Sequence, residues 1–531
     1  MAAEKIFFHW ELEFPEVFFE EGKPKENPGF DAVLGNPPYL QKESFAPREK
    51  KFILEHFPEN ASNVNLATVF MSKAKCLTRK EALHSFIVPK SLLFTKAWED
   101  DRRRLLSNML RICDVSKAWE EVLLEQTIYV WQNSPEPTAQ LFIDVCENKR
   151  IESGYPIEKA ICYRIGAIPT RFAPQMKDII EHSWKNGEDL SKHAELPCGL
   201  PYQRKLKEKG DMPAIGGDEI WRYQQLGVKG YFNKEDIEND SEFIKKLEKP
   251  HIVLQRIVAH ILEPKDHIAV ACTVDTSHSV PVNTITCLFT KKDSNISPYF
   301  LCAWLNSRFY SWYAYNFVFS RAIRSMDLYE YYAVKVPLPK ITFETNNSTR
   351  KKFLDTFVRS YVDEVLKKSF SKTLSFVYRL AGSHTDIIHD ILAYLAGQMM
   401  ETNTQKREEA KGFLSWLERE IGISVDILSN KTVIKEYHEN TFDKLIEVLK
   451  KNKKKLPIDL HSREFQEKLK KEFDKSIMKL TPLKARIRAT DELIDQIVYK
   501  LYGLTDEEIE IVESSFGARV SLEKKETVYD L

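Results

Sequence analysis

The tetrapeptide Asn36-Pro37-Pro38-Tyr39 has the residue types needed to bind and orient an aromatic amine. The Asn36 side-chain oxygen and the Pro37 carbonyl are two neighbouring acceptors, so they could accept hydrogen bonds from both N–H groups of an exocyclic amine. The lone pair of that nitrogen would then be free to attack, and the Tyr39 ring could stack on the base. This arrangement works through positioning and preorganised polar groups and needs no charged general base. It favours transfer of a methyl group from a sulfonium donor to the amine.

An apolar stretch at residues 30–35, Phe-Asp-Ala-Val-Leu-Gly, precedes the tetrapeptide and predicts a short buried strand. Two successive prolines fix φ and cannot continue a ladder of hydrogen bonds, so the chain must leave the sheet at Asn36. Open α/β sheets bind ligands at the carboxyl ends of their strands. The pattern therefore predicts a site there, although the tetrapeptide alone is also compatible with a plain tight turn.

Together, this strand and tetrapeptide resemble the S-adenosylmethionine-dependent amino-methyltransferases. They most resemble the N6-adenine DNA methyltransferases of the type IIG restriction–modification family. Residues 8–18, FHWELEFPEVF, are similar to the segment that those proteins carry before the catalytic strand. The resemblance implies that the target adenine is flipped out of double-stranded DNA. The catalytic residues that it implies are Asn36, Pro37, Pro38 and Tyr39.

The cofactor implied by the resemblance is S-adenosylmethionine, but the sequence offers only a partial site for it, at Asp31 and Asn36. In the family, an earlier strand, a glycine-rich turn and a helix receive the methionine part of the cofactor. This chain contains no Gly-x-Gly, and the 29 residues before the strand are too few for three strands with their helices. We therefore expect an N-terminal methyltransferase half or subunit as a partner. Without it, the strand would be an open sheet edge that invites pairing with another chain.

The implied fold class is an α/β incomplete Rossmann-like methyltransferase half-domain, followed by an α+β target-recognition domain and a helical C-terminal region. The predicted boundaries are 1–150, 151–345 and 346–531.

The middle region has β-like runs at 252–257 and 268–272, followed by an aromatic-rich helical stretch at 299–315. This order resembles the target-recognition domain of the same enzymes, where phosphate contacts position the domain and a few side chains read base edges. The aromatic side chains, Trp304 and Trp312 among them, are more typical of a core than of base stacking. The candidate DNA-binding residues are Arg256, Arg321 and Arg324.

Six segments of the last region have helical periodicity: 350–372, 385–401, 408–421, 438–455, 464–480 and 491–502. Residues 494–509 are similar to the C-terminal signature of type IIG proteins. Within them, Gly503 fits a helix C-cap and Thr505 fits the N-cap of the next helix.

The 531 residues carry 78 basic and 78 acidic side chains, so the formal charge is zero and nucleic-acid binding must come from local patches. No apolar run reaches membrane-spanning length, and the N-terminus lacks a signal-peptide pattern. Eight scattered cysteines without a Cys-x-x-Cys pair indicate free thiols in a reducing cytosol rather than disulfides or a zinc site. We expect a cytoplasmic, prokaryotic protein with no membrane partner and no metal.

A nuclease would need clustered carboxylates and a lysine around a metal. Asp459, Glu467 and Lys468 have suitable types but fall in charged, helix-like sequence, which argues against such a site.

The leading hypothesis is an adenine-specific DNA methyltransferase of a restriction–modification or phage-defence system that needs a separate N-terminal half. The alternative is a catalytically inactive DNA-binding specificity protein or gene remnant. A third hypothesis is methylation of a protein glutamine, since the same tetrapeptide serves that chemistry. The long β-rich and helical regions argue against it, because a compact protein methyltransferase needs neither.

Overall fold

The computed structural model describes residues 8–61, 65–116, 124–147, 150–323, 326–365, 367, 370–460 and 462–517. The chain divides into two compact units. Unit 1 contains residues 1–181, 313–326 and 331–336; unit 2 contains residues 182–312, 327–330 and 337–531. The division of the sequence at residues 150 and 345 stays a prediction.

Unit 1 is organised around a seven-stranded mixed sheet. In spatial order its strands are Phe30–Gly35, Thr78–Pro89, Gln126–Gln132, Met109–Ser116, Gln140–Glu147 and Arg150–Glu152, with Pro156–Glu158 also paired to Gln140–Glu147. Its helices are Trp10–Glu13, Pro15–Phe18, Pro47–His56, Leu66–Leu77, Glu99–Leu106 and Lys159–Ile165; the helix Gln175–Lys185 runs across the boundary into unit 2. The short strands Phe19–Glu20 and Lys23–Pro24 form a separate pair.

Phe30–Gly35, called the edge strand below, pairs in parallel with Thr78–Pro89 and, within the described residues, with no other strand. One face is covered, because Phe30 packs edge-on against Phe14 and Phe18. The sequence predicted a buried strand, and this is wrong for most of its length: Leu34 is 77% exposed. The part of the strand that carries Ala32 and Leu34 is not packed, and no described strand pairs with its second edge. The open edge itself was expected, whereas the description of the sheet as an incomplete Rossmann-like half-domain stays a prediction.

Unit 2 contains small sheets. A four-stranded sheet has the order Ala194–Glu195, Ile285–Thr290, His251–Gln255 and Cys272–Asp275, and a three-stranded sheet has the order Gly230–Phe232, Met212–Ile215 and Val280–Pro281. The two-stranded pairs are Gly187–Glu188 with Leu338–Pro339, Ile220–Trp221 with Gln224–Gln225, and Ala259–Ile261 with His267–Ala269.

The predicted helical C-terminal region is confirmed, because the regular elements described beyond Pro339 are all helices. The helices from residue 241 onward are Ser241–Lys246, Pro298–Leu305, Arg308–Tyr313, Ala314–Val318, Glu330–Ala333, Asn347–Val365, Ser371–Leu380, Thr385–Ile421, Lys431–Lys435, Phe442–Lys451, Arg463–Tyr502 and Asp506–Ser514. None of the described helices is both long enough and apolar enough to span a membrane.

Two pairs of predicted helices are each one continuous helix, Thr385–Ile421 and Arg463–Tyr502. The second of these continues through Pro482, because tertiary packing along the helix outweighs the backbone hydrogen bond that a proline removes. The predicted end of this helix is confirmed. Gly503 adopts the left-handed conformation at its C-cap, and the Thr505 side chain caps the following helix.

The aromatic helices of unit 2 form core, as the sequence indicated. Trp304 and Trp312 are buried. Their indole nitrogens donate to the Tyr502 hydroxyl at 2.8 Å and to the Ser515 hydroxyl at 3.0 Å, respectively. Buried indoles that are satisfied by neighbouring side chains are structural rather than available for base stacking.

Buried charged pairs also fasten the helix Arg463–Tyr502 within unit 2. The Arg222 guanidinium binds Asp491 through two hydrogen bonds of 2.7 and 2.9 Å. One helical turn further, Asp495 accepts the backbone N–H of Arg308 at 2.8 Å. Burial raises the pKa of Asp495 to about 7, and the charges of Asp491 and Glu513 add to the rise.

We expect Asp495→Asn to remove a pH dependence of stability. Because the folded-state pKa of Asp495 is raised, its contribution is full below its ordinary pKa and is lost as pH rises through about 7. Asparagine can still accept the Arg308 N–H. The variant should therefore melt at a higher temperature than the wild type at pH 8, with the gap narrowing towards pH 5. Thermal denaturation followed by circular dichroism measures the difference.

Asp491→Asn provides the matched control, since it strips a carboxylate from the buried Arg222 guanidinium. Breaking such a pair costs roughly 3 kcal/mol, so this variant should melt below the wild type at pH 8. If both variants lowered the melting temperature at pH 8, the pH-linked role of Asp495 would be ruled out.

Candidate active site

The tetrapeptide lies where the edge strand ends. Gly35 is needed there because a Cβ at this position would stand 2.9 Å from the Phe86 ring of the neighbouring strand. Beyond it, Asn36 and Pro38 are exposed, whereas Pro37 is buried. Within the described residues, no hydrogen bond reaches the Asn36 side chain or the Pro37 carbonyl. Both predicted acceptors are therefore unpaired within the described residues, and Asn36 is the exposed residue of the two.

Tyr39 is half-buried, and its hydroxyl is held by the sheet. It donates to the Ile87 carbonyl at 3.0 Å, and the Gln126 side chain lies beside it. Burial raises the pKa of Tyr39, and the Gln126 side chain opposes part of that rise. The phenol is therefore neutral at physiological pH, and its ring orientation is defined by the sheet.

The chain beyond Tyr39 is tied to the start of a helix. The Leu66 N–H donates to the Leu40 carbonyl at 2.9 Å, immediately before the helix Leu66–Leu77. The Asn65 side chain caps that helix by accepting the Ala67 N–H at 2.9 Å. The tetrapeptide is thus held between a strand end and a capped helix.

Asp31, predicted to help bind the cofactor, is not brought next to Asn36. It lies near the opposite end of the edge strand, about 16 Å away at the usual rise per residue. There it is exposed and pairs with Arg79, with 2.7 Å between Oδ1 and Nε. Its role towards the cofactor stays a prediction.

The described residues fit only a small part of S-adenosylmethionine. Binding its methionine part requires a backbone that the ligand can approach closely, which glycine permits. The nearest glycine, Gly35, faces the Phe86 ring rather than open space. Asn36 is the one predicted cofactor residue that lies at the strand end, so the remainder of a cofactor site would have to come from other residues.

Arg256, predicted to bind DNA, is engaged within unit 2. Its guanidinium makes two hydrogen bonds to Asp327, at 2.5 and 2.6 Å, and a third to the Asn283 carbonyl at 3.0 Å. These bonds join two loops and leave the side chain partly exposed. The proposed DNA contact stays a prediction, and it would compete with the Asp327 pair.

Arg321 belongs to unit 1, and its Nε donates to Asn316 at 2.8 Å. Its backbone is left-handed, with φ of 54°. Arg324 lies outside the described residues. The roles of both in DNA binding stay predictions.

Two of the three residues considered for a nuclease, Glu467 and Lys468, form surface ion pairs, and the third, Asp459, is exposed. Glu467 pairs with Arg463 at 2.6 Å, and Lys468 pairs with Glu420 at 2.8 Å. In the part of the chain that the structure describes, no group of three or more His, Cys, Asp or Glu side chains is placed to hold a metal ion.

Sequence reasoning missed a charged group at the same end of the sheet. Lys90 follows Pro89, the last residue of its strand, and its ammonium pairs with Asp114 at 2.9 Å and Glu125 at 3.2 Å. The signal was present, because Lys90, like Asn36, is a polar residue that directly follows a strand and stands next to a proline. The partners could not be found that way, since they come from other strands.

Three family models match the chain. Residues 1–118 match the Eco57I restriction-modification methylase, and residues 212–338 match the TaqI-like C-terminal specificity domain. Residues 385–498 match a domain of unknown function, DUF8810. The resemblance to restriction–modification methylases is therefore confirmed, and the chain combines a methylase segment with a specificity domain. No curated protein matches it.

Solved structures similar to this chain include two restriction enzymes and one protein–DNA complex. The type IIG restriction endonuclease BpuSI has 11% identity and a TM-score of 0.27, over 62% of this chain and 49% of its own. The DrdV–DNA complex has 9% identity and a TM-score of 0.34, over 70% of this chain and 44% of its own. A nuclease-deletion mutant of the type ISP enzyme LlaGI, solved with a DNA substrate mimic, has 10% identity and a TM-score of 0.28, over 61% of this chain and 41% of its own. The chain spans less than half the length of each.

We expect Tyr39→Phe to destabilise unit 1 by about 1 kcal/mol, because the Ile87 carbonyl loses the hydrogen bond that the Tyr39 hydroxyl donates. Chemical denaturation measures the loss. Tyr155→Phe is the control: Tyr155 is exposed, so its change should stay within about 0.5 kcal/mol. Equal stabilities of the two variants would show that the Tyr39 hydroxyl is not an anchor.

Proposed function

We propose that this chain is the catalytic and target-recognition portion of a site-specific DNA methyltransferase. It would transfer a methyl group from S-adenosylmethionine to the N6 amino group of adenine, in a restriction–modification or phage-defence system of type IIG character. The observation that carries this proposal is a pair of acceptors without a partner in the described residues, the Asn36 amide oxygen and the Pro37 carbonyl, at the end of a strand.

In this proposal the chain binds double-stranded DNA, and the target adenine leaves the stack. The two oxygens accept hydrogen bonds from its amino group, which localises the nitrogen lone pair and directs it out of the ring plane. Tyr39 stacks on the base, with its hydroxyl anchored to Ile87. S-adenosylmethionine supplies the methyl group. Pro38 and its neighbour stiffen the turn, so the acceptors need little reorganisation.

The proposal includes an N-terminal methyltransferase half, as a subunit or a further segment, that completes the cofactor site. Two features of unit 1 support it. The edge strand has one unpaired side in the described residues, and large apolar side chains around it are exposed. These are Phe8, Leu12, Leu34 and Leu40. An unpaired apolar edge is a liability that a covering polypeptide removes.

A second candidate is a DNA-binding specificity protein with no activity of its own. The observation that favours it is the poor fit of the described residues to most of the cofactor. The two candidates differ in whether methyl transfer can be reconstituted.

The deciding experiment measures transfer of radiolabelled methyl groups from S-adenosylmethionine to unmethylated DNA. The purified chain is assayed with and without the product of the adjacent upstream reading frame. Transfer that requires the second protein supports the proposal with its partner, and transfer by the chain alone supports the activity but not the partner. No transfer in either case favours the specificity protein.

Asn36→Ala should lower the rate of transfer at least about 100-fold, because one of two preorganised acceptors is removed. DNA affinity should stay within about twofold, since the side chain contacts only the flipped base. The exposed Asn239→Ala serves as a control and should change neither quantity. Parallel losses of transfer and DNA affinity in Asn36→Ala would indicate a folding defect and contradict the assignment.

A further inference from the structure

The strongest unexplained feature of unit 1 is a buried charge cluster formed by Lys90, Asp114 and Glu125. Their side chains are 4, 2 and 8% exposed. One ammonium therefore faces two carboxylates, and its third hydrogen bond goes to the Arg321 carbonyl at 3.2 Å. Burying three charges is costly unless each is paired, so such clusters fix a specific arrangement rather than add stability.

The cluster holds a chain segment from far along the sequence. The second carboxylate oxygen of Glu125 accepts the backbone N–H of Ile323 at 2.6 Å. The start of the same segment is held by Ser320, which donates to the Ile168 carbonyl at 2.8 Å and accepts from Thr170 at 3.0 Å. Residues 320–323 are thus bound at both ends within unit 1.

The segment 320–323 lies in the specificity-domain sequence but packs within unit 1. By sequence it lies inside the match to the specificity domain, residues 212–338. By packing, residues 313–326 belong to unit 1, the unit that carries the tetrapeptide. The specificity-domain sequence therefore contributes a structural part of the candidate catalytic unit.

The cluster is also adjacent to the anchor of Tyr39. The Tyr39 hydroxyl donates to the Ile87 carbonyl at 3.0 Å, three residues before Lys90, and Gln126, which lies beside that hydroxyl, directly follows Glu125. The sheet register places Gln126 opposite Pro89, and the Lys90 N–H donates to the Glu125 carbonyl at 2.9 Å. Glu125 directly precedes the strand Gln126–Gln132, which pairs with the strand that carries Ile87, so the cluster and the anchor of Tyr39 share one strand ladder.

We propose that Lys90 and Glu125 are positioning residues that couple the segment 320–323 to Tyr39. The segment sets the place of Glu125, Gln126 follows, and the Tyr39 ring takes its base-stacking orientation. The Tyr39 role rests on the proposed function, whereas the mechanical coupling does not. The segment is covalently continuous with the rest of the specificity-domain sequence. A displacement of the segment would therefore change the position of Tyr39 in the tetrapeptide.

Hydrogen–deuterium exchange of the full chain, read by mass spectrometry, tests the coupling without any need for activity. Glu125→Gln removes the charge that pairs with Lys90. Peptides covering residues 36–45 should then exchange at least threefold faster, together with those covering 320–323. The control is Asp144→Asn, which weakens the Arg111–Asp144 pair on two other strands of the same sheet. It should leave both peptides unchanged.

Lys90→Arg keeps the positive charge. In this variant the exchange rates of residues 36–45 and 320–323 should be closer to those of the wild type than they are in Glu125→Gln. Unchanged exchange of residues 36–45 in Glu125→Gln would overturn the proposal. So would an equal acceleration in Asp144→Asn, because it would show general loosening of the sheet.

Methyl transfer in the reconstituted system supplies the functional readout. Glu125→Gln should lower kcat about tenfold while KM for DNA changes less than threefold, because the ring is misplaced after the DNA is bound. A change confined to KM would overturn the positioning role. If the wild type shows no transfer in any combination, the proposed function fails, and the exchange experiment still decides the coupling.

Discussion

The candidate site depends on the register between the strands Thr78–Pro89 and Gln126–Gln132. Their antiparallel ladder pairs seven successive residues, from Leu83 with Gln132 to Pro89 with Gln126. Since side chains alternate between the two faces of a sheet, a slip of one residue would move every one of them to the wrong side. This register places Gln126 beside the hydroxyl of Tyr39 and the Glu125 carbonyl beside the N–H of Lys90. The site is therefore only as well defined as this ladder.

Each unit also contains buried charges that specify its arrangement. In unit 2 they are Arg222 with Asp491, which hold the long C-terminal helix. In unit 1 they are the cluster around Lys90, which holds a segment about 230 residues further along the sequence. Such pairs add little net stability because desolvation offsets their attraction. Their physical effect is selectivity, since any packing that separates the partners leaves an uncompensated charge in the interior.

The edge strand shows the reverse of a buried charge, namely apolar side chains that are exposed. Its sequence is apolar enough for a buried strand, yet most of its side chains are exposed in the described structure. Local pattern and observed environment disagree there, and a disagreement of this kind is expected at functional or interface positions. Leu34 is exposed, and within the described residues no strand pairs with the outer edge of this strand, so its apolar sequence is not matched by burial.

The sequence by itself determined the local features. Two prolines after an apolar run must end a strand, a glycine can turn left-handed at position 503, and a threonine three residues before Glu508 can cap a helix. Helical periodicity located the long helices of the C-terminal region and apolar runs located a few of the strands, because these patterns depend on neighbours in the chain. Tertiary structure alone decided that two helix pairs are continuous, that Arg256 pairs with Asp327 and that Lys90 meets Glu125 and the Arg321 carbonyl. Those outcomes depend on residues that are distant in sequence, and which of many possible partners is met is set only when the whole chain packs.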